Sequence, residues 1–184
     1  MEKLIKICGV NDALFAARAE MLGADFIGLI FAAHSPRQIG MTKAREILAA
    51  LSGRARPVAV FTDSPIEEID AIAHELHISI IQLHRKANKK DIEELHRLGY
   101  TVWTLAGGET GDAVIFDSSH GDGETTLRPL PVTTILAGGI SSANILDALS
   151  STADIIDVSG SLESSKGVKS IEKLEDLFAT IAAR

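Results

Sequence analysis

The sequence predicts a (β/α)8 barrel, and three observations carry that expectation. Short apolar, β-branched runs alternate with segments of helical period almost from end to end, the pattern of βαβ units around a parallel sheet. Eight such runs occur, and the chain ends on a helix-period segment. The turn after the first run, Cys8-Gly9-Val10-Asn11, lacks the glycine loop that an open doubly wound sheet of dinucleotide-binding type carries there.

Taken in order, strands are expected at 4–8, 26–31, 58–62, 78–84, 101–105, 113–117, 134–137 and 155–159. Residues 12–22 place apolar or alanine positions at helical spacing and stop at Gly23, suited to left-handed backbone. Thr42 is expected to cap a helix running to Leu51. Ser64-Pro65 has the cap-then-proline order of the next helix start, with Glu67 and Glu68 favouring its first turn. Helices over 91–98 (stopped by Gly99), 144–149 and 171–181 complete the set.

One stretch breaks the alternation. Only residues 106–112 lie between Leu105 and Ala113, too few for a crossover helix although an extended chain of that length can recross a barrel. Residues 118–132 bear glycine and proline and leave little room for a helix. The expected barrel is therefore shortened, with its fifth helix missing and its sixth reduced to a turn. That accounts for 184 residues where the fold usually needs about 200 or more. No linker-like or low-complexity tract marks a second domain, so residues 1–184 are expected to form a single catalytic barrel.

Composition narrows the function class. The chain is 46% hydrophobic but only 4% aromatic, so aliphatic residues and alanine do the packing, as in a sheet buried on both faces. With one cysteine no intrachain disulfide can form, which fits a reducing, cytoplasmic setting. A net charge of −7 with no stripe of lysine and arginine argues against nucleic acid as a partner. Met1-Glu2-Lys3-Leu4 lacks the apolar core of a signal peptide and no run is long enough to span a bilayer, so no membrane partner is expected. No histidine or cysteine pair has zinc-site spacing, and Gly-x-Ser-x-Gly is absent; neither a metal centre nor a serine hydrolase is expected.

In such a barrel the strands' C-terminal ends face the substrate. Cys8 falls at the first of them, where a thiol can transfer protons or simply pack as a small hydrophobe. Asp117 tips an apolar run and can serve as a general acid or as a cap for loop N–H groups. Arg37, in His34-Ser35-Pro36-Arg37, can grip a carboxylate with two parallel hydrogen bonds or stand exposed in its loop. His84 can donate to substrate or cap its strand, and Asp157 can orient hydroxyls or an amine. Gly138-Gly139 and Ser159-Gly160-Ser161 follow the last two strands. Adjacent loops of small residues there favour a phosphate seat of backbone N–H groups over mere turns. His74, His77 and His96 are expected in solvent, and Asp122, between Gly121 and Gly123, covers the site or makes a turn.

Read together, Lys6-Ile7-Cys8-Gly9, Ser35-Pro36-Arg37, Val60-Phe61, Gln82-Leu83-His84, Phe116-Asp117, Leu136-Ala137-Gly138-Gly139, Asp157-Val158-Ser159 and the tail Glu163 to Lys169 form an ordered series. That series resembles the phosphoribosylanthranilate isomerases of tryptophan biosynthesis over most of the chain, least from about 107 to 133. The resemblance implies Cys8 as general base, Asp117 as general acid, Arg37 on the anthranilate carboxylate and Asp157 as the strand-eight aspartate. It also implies phosphate held by Gly138, Gly139 and Ser159 to Ser161. The implied reaction is a cofactor-free Amadori rearrangement of a phosphorylated sugar, by a monomer or a homodimer. A thiol titrates near 8.5 unperturbed, so nearby dipoles or cations are expected to lower Cys8. Departures from the family are the Gly160-Ser161 order, Arg85 where glycine is usual, and a segment 121–127 without the usual aromatic pair. Two alternatives stay open at this point. One is the related aminoaldose isomerase of histidine synthesis, which usually pairs two aspartates. The other is a barrel that binds a phosphorylated metabolite without turning it over.

Overall fold

The computed structural model describes residues 3–119, 127 and 130–184. Eight parallel strands close into a barrel in chain order, β1 (Leu4–Cys8), β2 (Phe26–Ile30), β3 (Arg56–Phe61), β4 (Ile80–Leu83), β5 (Thr101–Leu105), β6 (Ala113–Asp117), β7 (Thr133–Ala137) and β8 (Ile155–Val158), with β8 pairing back on β1. Around it run α1 (Ala13–Leu22), α2 (Met41–Ala50), α3 (Ile66–Glu75), α4 (Lys89–Arg97), α5 (Ile145–Ser150) and α6 (Ile171–Ala182). A short hairpin of β9 (Glu163–Ser165) and β10 (Val168–Lys169) follows one 3₁₀ turn at Gly160–Leu162. None of the helices among the described residues is long and apolar enough to cross a membrane.

Side chains alternate across each strand. One set, including Phe26, Val58, Val60, Ile80, Trp103, Ile115, Ile135 and Ile155, fills the barrel interior. The other set packs outward against the helices in a larger core containing Ile7, Leu29, Phe61, Ile81, Val158, Leu174 and Leu177. Cys8, Gln82, Asp117 and Asp157 share the inward register, so alternation aims all four into the barrel near its C-terminal mouth.

The expected missing helix is missing. β5 runs to β6 through residues 106–112 alone, and that crossing covers the outer face of β5 itself. Gly111 lies so close that a Cβ would stand 2.4 Å from the Val102 carbonyl oxygen. Its N–H donates to Thr104 Oγ1 at 3.1 Å, and Asp112 Oδ2 accepts from Val102 N at 2.7 Å. Between β6 and β7 the described residues form no helix, and Leu130 and Val132 pack on Phe116 instead. Asp122, with Gly121 and Gly123, lies outside the described residues.

Several local expectations need correction. Gly40, not Thr42, is the N-cap of α2, and Pro65 rather than Ser64 occupies that place in α3, with no side-chain cap bond in either helix. Helix α4 begins earlier than expected because the Asn88 side chain accepts from Asp91 N and caps it. His96 is not merely solvated, since its Nε2 pairs with Asp112 Oδ2 at 2.8 Å.

Candidate active site

Cys8 ends β1 with 7% of its surface exposed, and its sulfur fills the space left by Gly28 across the β1–β2 pair. A Cβ at position 28 would lie 2.8 Å from Sγ, so only glycine leaves the thiol its place. Burial pushes the Cys8 thiol up; the Lys6 and Lys169 ammoniums oppose the rise and Asp157 adds to it. The lowering expected from neighbouring cations is therefore reversed in net effect, because loss of water around the sulfur outweighs them.

Asp117, 8% exposed, ends β6. Its Oδ1 accepts from Ser119 N at 2.8 Å and Ser119 Oγ at 2.6 Å, and its Oδ2 lies 3.8 Å from His84 Nε2. It thus caps its own loop through one oxygen and faces His84 with the other. On β4, Gln82 Nε2 stands 3.2 Å from His84 Nδ1. An amide N–H donating to Nδ1 leaves the imidazole proton on Nε2, the nitrogen facing Asp117.

Asp157, 8% exposed on β8, accepts from the Lys6 ammonium at 2.6 Å through Oδ2. Its Oδ1 is buried and has no hydrogen-bond partner among the described residues. Burial pushes the Asp157 carboxyl up against the pull of Lys6. Lys6 itself is fully buried; burial works to neutralise it, but Asp157 and Cys8 outweigh that and raise it.

Arg37 is gripped by Glu163, from Nε to Oε1 and from Nη2 to Oε2 at 3.1 Å. The carboxylate that this guanidinium holds in the structure is thus one of the chain's own. Burial resists ionisation of Glu163, yet Arg37, the Gly167 N–H and Lys169 together hold it below the usual carboxylate range. Lys169 lies 3.4 Å from Glu163 Oε1 and donates to the Ser159 carbonyl at 2.9 Å; burial lowers its ammonium. Asn11 Nδ2 donates to Gly167 O at 2.7 Å. The β9–β10 hairpin is therefore a strap binding the loops after β1, β2 and β8 together.

At the corner expected to seat phosphate, Gly138 packs against the loop after β6, where a Cβ would sit 2.6 Å from the Ser118 and Ser119 nitrogens. Gly139, at φ +64°, has open space where a side chain would project. The Ser159 hydroxyl donates to the Cys8 carbonyl at 3.1 Å, and that of Ser161 donates to the Ile140 carbonyl. Gly160 opens the 3₁₀ turn beside Arg37. Both hydroxyls thus knit loops together. Arg85 donates to the Thr62 carbonyl and pairs with Asp91 at 2.6 Å, bracing the loops after β3 and β4.

Sequence reasoning missed Lys6, Gln82, Glu163 and Lys169 as parts of this cluster. Lys6 had a readable signal: a charged residue inside an apolar run, two positions before Cys8 and so on the same strand face.

Comparison with known proteins shows the family and the fold. The sequence model of the N-(5'phosphoribosyl)anthranilate (PRA) isomerase family matches residues 5–180. The chain is 34% identical over 194 residues to the N-(5'-phosphoribosyl)anthranilate isomerase of Stutzerimonas stutzeri (strain A1501), covering 92% of each. It is 32% identical over 192 residues to that of Campylobacter jejuni serotype O:2, covering 95% of this chain and 96% of the relative. The crystal structure of the phosphoribosyl anthranilate isomerase from Thermus thermophilus matches with a TM-score of 0.85 at 29% identity, over 98% of both chains. With a family match across nearly its whole length and a closed eight-stranded barrel carrying polar groups at one mouth, the chain belongs to the phosphoribosylanthranilate isomerase family, enzymes of tryptophan biosynthesis.

Proposed function

We propose that this one barrel isomerises N-(5-phosphoribosyl)anthranilate to 1-(2-carboxyphenylamino)-1-deoxyribulose 5-phosphate with Cys8 as base and Asp117 as acid. The observation that carries the assignment is placement. Both groups end inward-facing strand positions at one rim, and each keeps a small exposed surface. Asp157, charge-coupled to both of them, stands between.

Asp117 donates its proton to the furanose ring oxygen as the bond from that oxygen to C1 breaks, leaving a protonated Schiff base. The Cys8 thiolate then takes the C2 proton, and the electron pair of that C–H bond neutralises the iminium as an enolamine. Tautomerisation of the enol to the ketone yields the aminoketose, with no net change in atoms. An acid and a base acting on opposite ends of one short sugar need fixed positions, which strand tips supply better than loops. His84 stands behind Asp117 and holds the acid side of the substrate.

Arg37 binds the anthranilate carboxylate through Nη1 and the second N–H of Nη2, since Nε and the first N–H of Nη2 serve Glu163. The phosphate rests on backbone N–H groups of the loops that carry Gly138 and Gly139 after β7 and Ser159, Gly160 and Ser161 after β8. The open surround of Gly139 supports that seat.

Turnover of phosphoribosylanthranilate, followed by loss of its anthranilate fluorescence, tests the roles. Removing an acid or base group is worth about 10²- to 10⁴-fold, and a loss of that order is expected in Cys8→Ala and in Asp117→Asn. A variant that turns over like the parent strips that residue of its role.

A further inference from the structure

A fully buried lysine is an expensive way to join two strands. Lys6 lies in the barrel interior with no exposed surface, and its ammonium meets Asp157 Oδ2 of β8 at 2.6 Å. Buried ion pairs can often be replaced by apolar residues with no loss, so stability alone gives little reason for the pair. Position gives a better one. Residues 6 and 8 share a face of β1, so the ammonium that reaches Asp157 also lies beside the Cys8 sulfur.

The charged groups facing the thiol come from four directions: Lys6 on its own strand, Asp157 on β8, Lys169 on β10 and Arg37 in the loop after β2. Asp157 in turn faces Asp117 on β6. Lys6 thus bonds the carboxylate that opposes the thiolate and acts through its charge on the sulfur itself.

We propose that Lys6 is a positioning residue for the base, its ammonium shared between Cys8 and Asp157 so that it supplies the counter-charge for the thiolate while Asp157 restrains it. The inference rests on the reading of Cys8 as base and extends it. In the free protein the short bond to Asp157 claims much of the lysine's charge. Burial then keeps Cys8 a thiol, a form less open to oxidation than the thiolate. Among the described residues Asp157 Oδ1 is buried and has no hydrogen-bond partner. A substrate hydroxyl or N–H donating to it draws the carboxylate's charge away from Lys6, leaving more of the ammonium's field for the sulfur. The thiol proton leaves through the mouth to water, and the base forms when substrate is seated.

Cys8 is the only cysteine in the chain, so the pH dependence of alkylation by iodoacetamide titrates this thiol in the intact protein. Lys6→Met is expected to move the alkylation midpoint upward by about one pH unit, a tenfold loss of thiolate at fixed pH. Asp157→Asn, which keeps a partner for the ammonium but removes the opposing charge, is expected to move it downward. Lys6→Arg, retaining charge, is expected to stay nearer the parent than Lys6→Met does. A pair that only ties β1 to β8 gives no such opposition of sign. Midpoints unmoved, or moved the same way by the Lys6→Met and Asp157→Asn changes, overturn the proposal. If Lys6→Met does not fold, the Asp157→Asn arm decides alone, a downward shift supporting and any other result overturning. Alkylation needs no turnover, so a failure here is separable from a failure of Cys8 as base, which Cys8→Ala turnover decides.

Discussion

The wall that carries the base and the wall that carries the acid are built on different principles. Around Cys8, Lys6, Asp157, Lys169, Glu163 and Arg37 form a lattice of buried and half-buried charges drawn from β1, β8, the hairpin and the loop after β2. Around Asp117 the support among the described residues is local: Ser119, two residues downstream, makes two bonds to Oδ1, with His84 beside Oδ2. The outer cover differs in the same sense. α1 and α6, which follow β1 and β8, pack on each other, whereas no helix joins β5 to β6. Ion pairs in low dielectric depend on geometry held from several sides. A turn-type cap is made by its own neighbours in sequence, and apolar cover is non-directional. The acid wall could therefore lose a helix at little cost to the placement of its carboxylate, while the base wall keeps its full scaffold.

Mutations can break that contrast. Glu163→Ala should have the largest effect, because it strands Arg37 and Lys169 without their shared anion. A loss of about 3–5 kcal/mol of stability is expected, with KM rising far more than kcat falls. A KM left unchanged would detach the lattice from substrate binding. Glu20→Ala is the control outside the site. Glu20 is buried and accepts from the N–H groups of Ser52, Arg54 and Ala55, so its removal should cost about 2–4 kcal/mol in denaturant unfolding with kcat and KM intact. Those bonds overcome its burial and hold the Glu20 carboxyl down at about 2. Its contribution is then complete above the unfolded value of about 4.3 and drains away as pH falls toward 2. Wild type should lose its advantage over Glu20→Gln across that window, and a constant difference would refute the linkage.

On the acid wall the expected effects are smaller. Gly111→Ala drives a Cβ into the Val102 carbonyl and should lower stability by about 1–3 kcal/mol without touching turnover. Should kcat fall in step with stability, the acid wall is less independent of its cover than its hydrogen bonds imply. Ser119→Ala removes one of the two bonds that Ser119 makes to Oδ1, and kcat should drop within about tenfold while the melting temperature barely moves.

The strands were legible because they are apolar runs, most of them closed by a polar residue or glycine; 101–105 and 113–117 coincide with β5 and β6. Helix starts were less so, since Thr42 and Ser64 carry the right side chains for caps but the backbone turns elsewhere. The hairpin was missed because three and two residues, mostly polar, show no period. Arg37 was visible as a guanidinium in the right loop. Its tie to Glu163 joins residues 126 positions apart, which no local pattern encodes. The direction of the Cys8 shift was misjudged for a related reason, because burial belongs to the fold and cations can be counted in the sequence without knowing how dry the sulfur is.

The crossing from β5 to β6 bears on how small this architecture can be made. Residues 106–112 span at most roughly 25 Å when extended, against roughly 17 Å for a five-residue strand. A parallel connection can thus be little longer than the strand it returns beside, provided its own backbone lies flat enough to replace the missing layer. For anyone drawing minimal barrels, the limiting resource at such a joint is clearance above the sheet, and a side chain as small as one methyl already exceeds it.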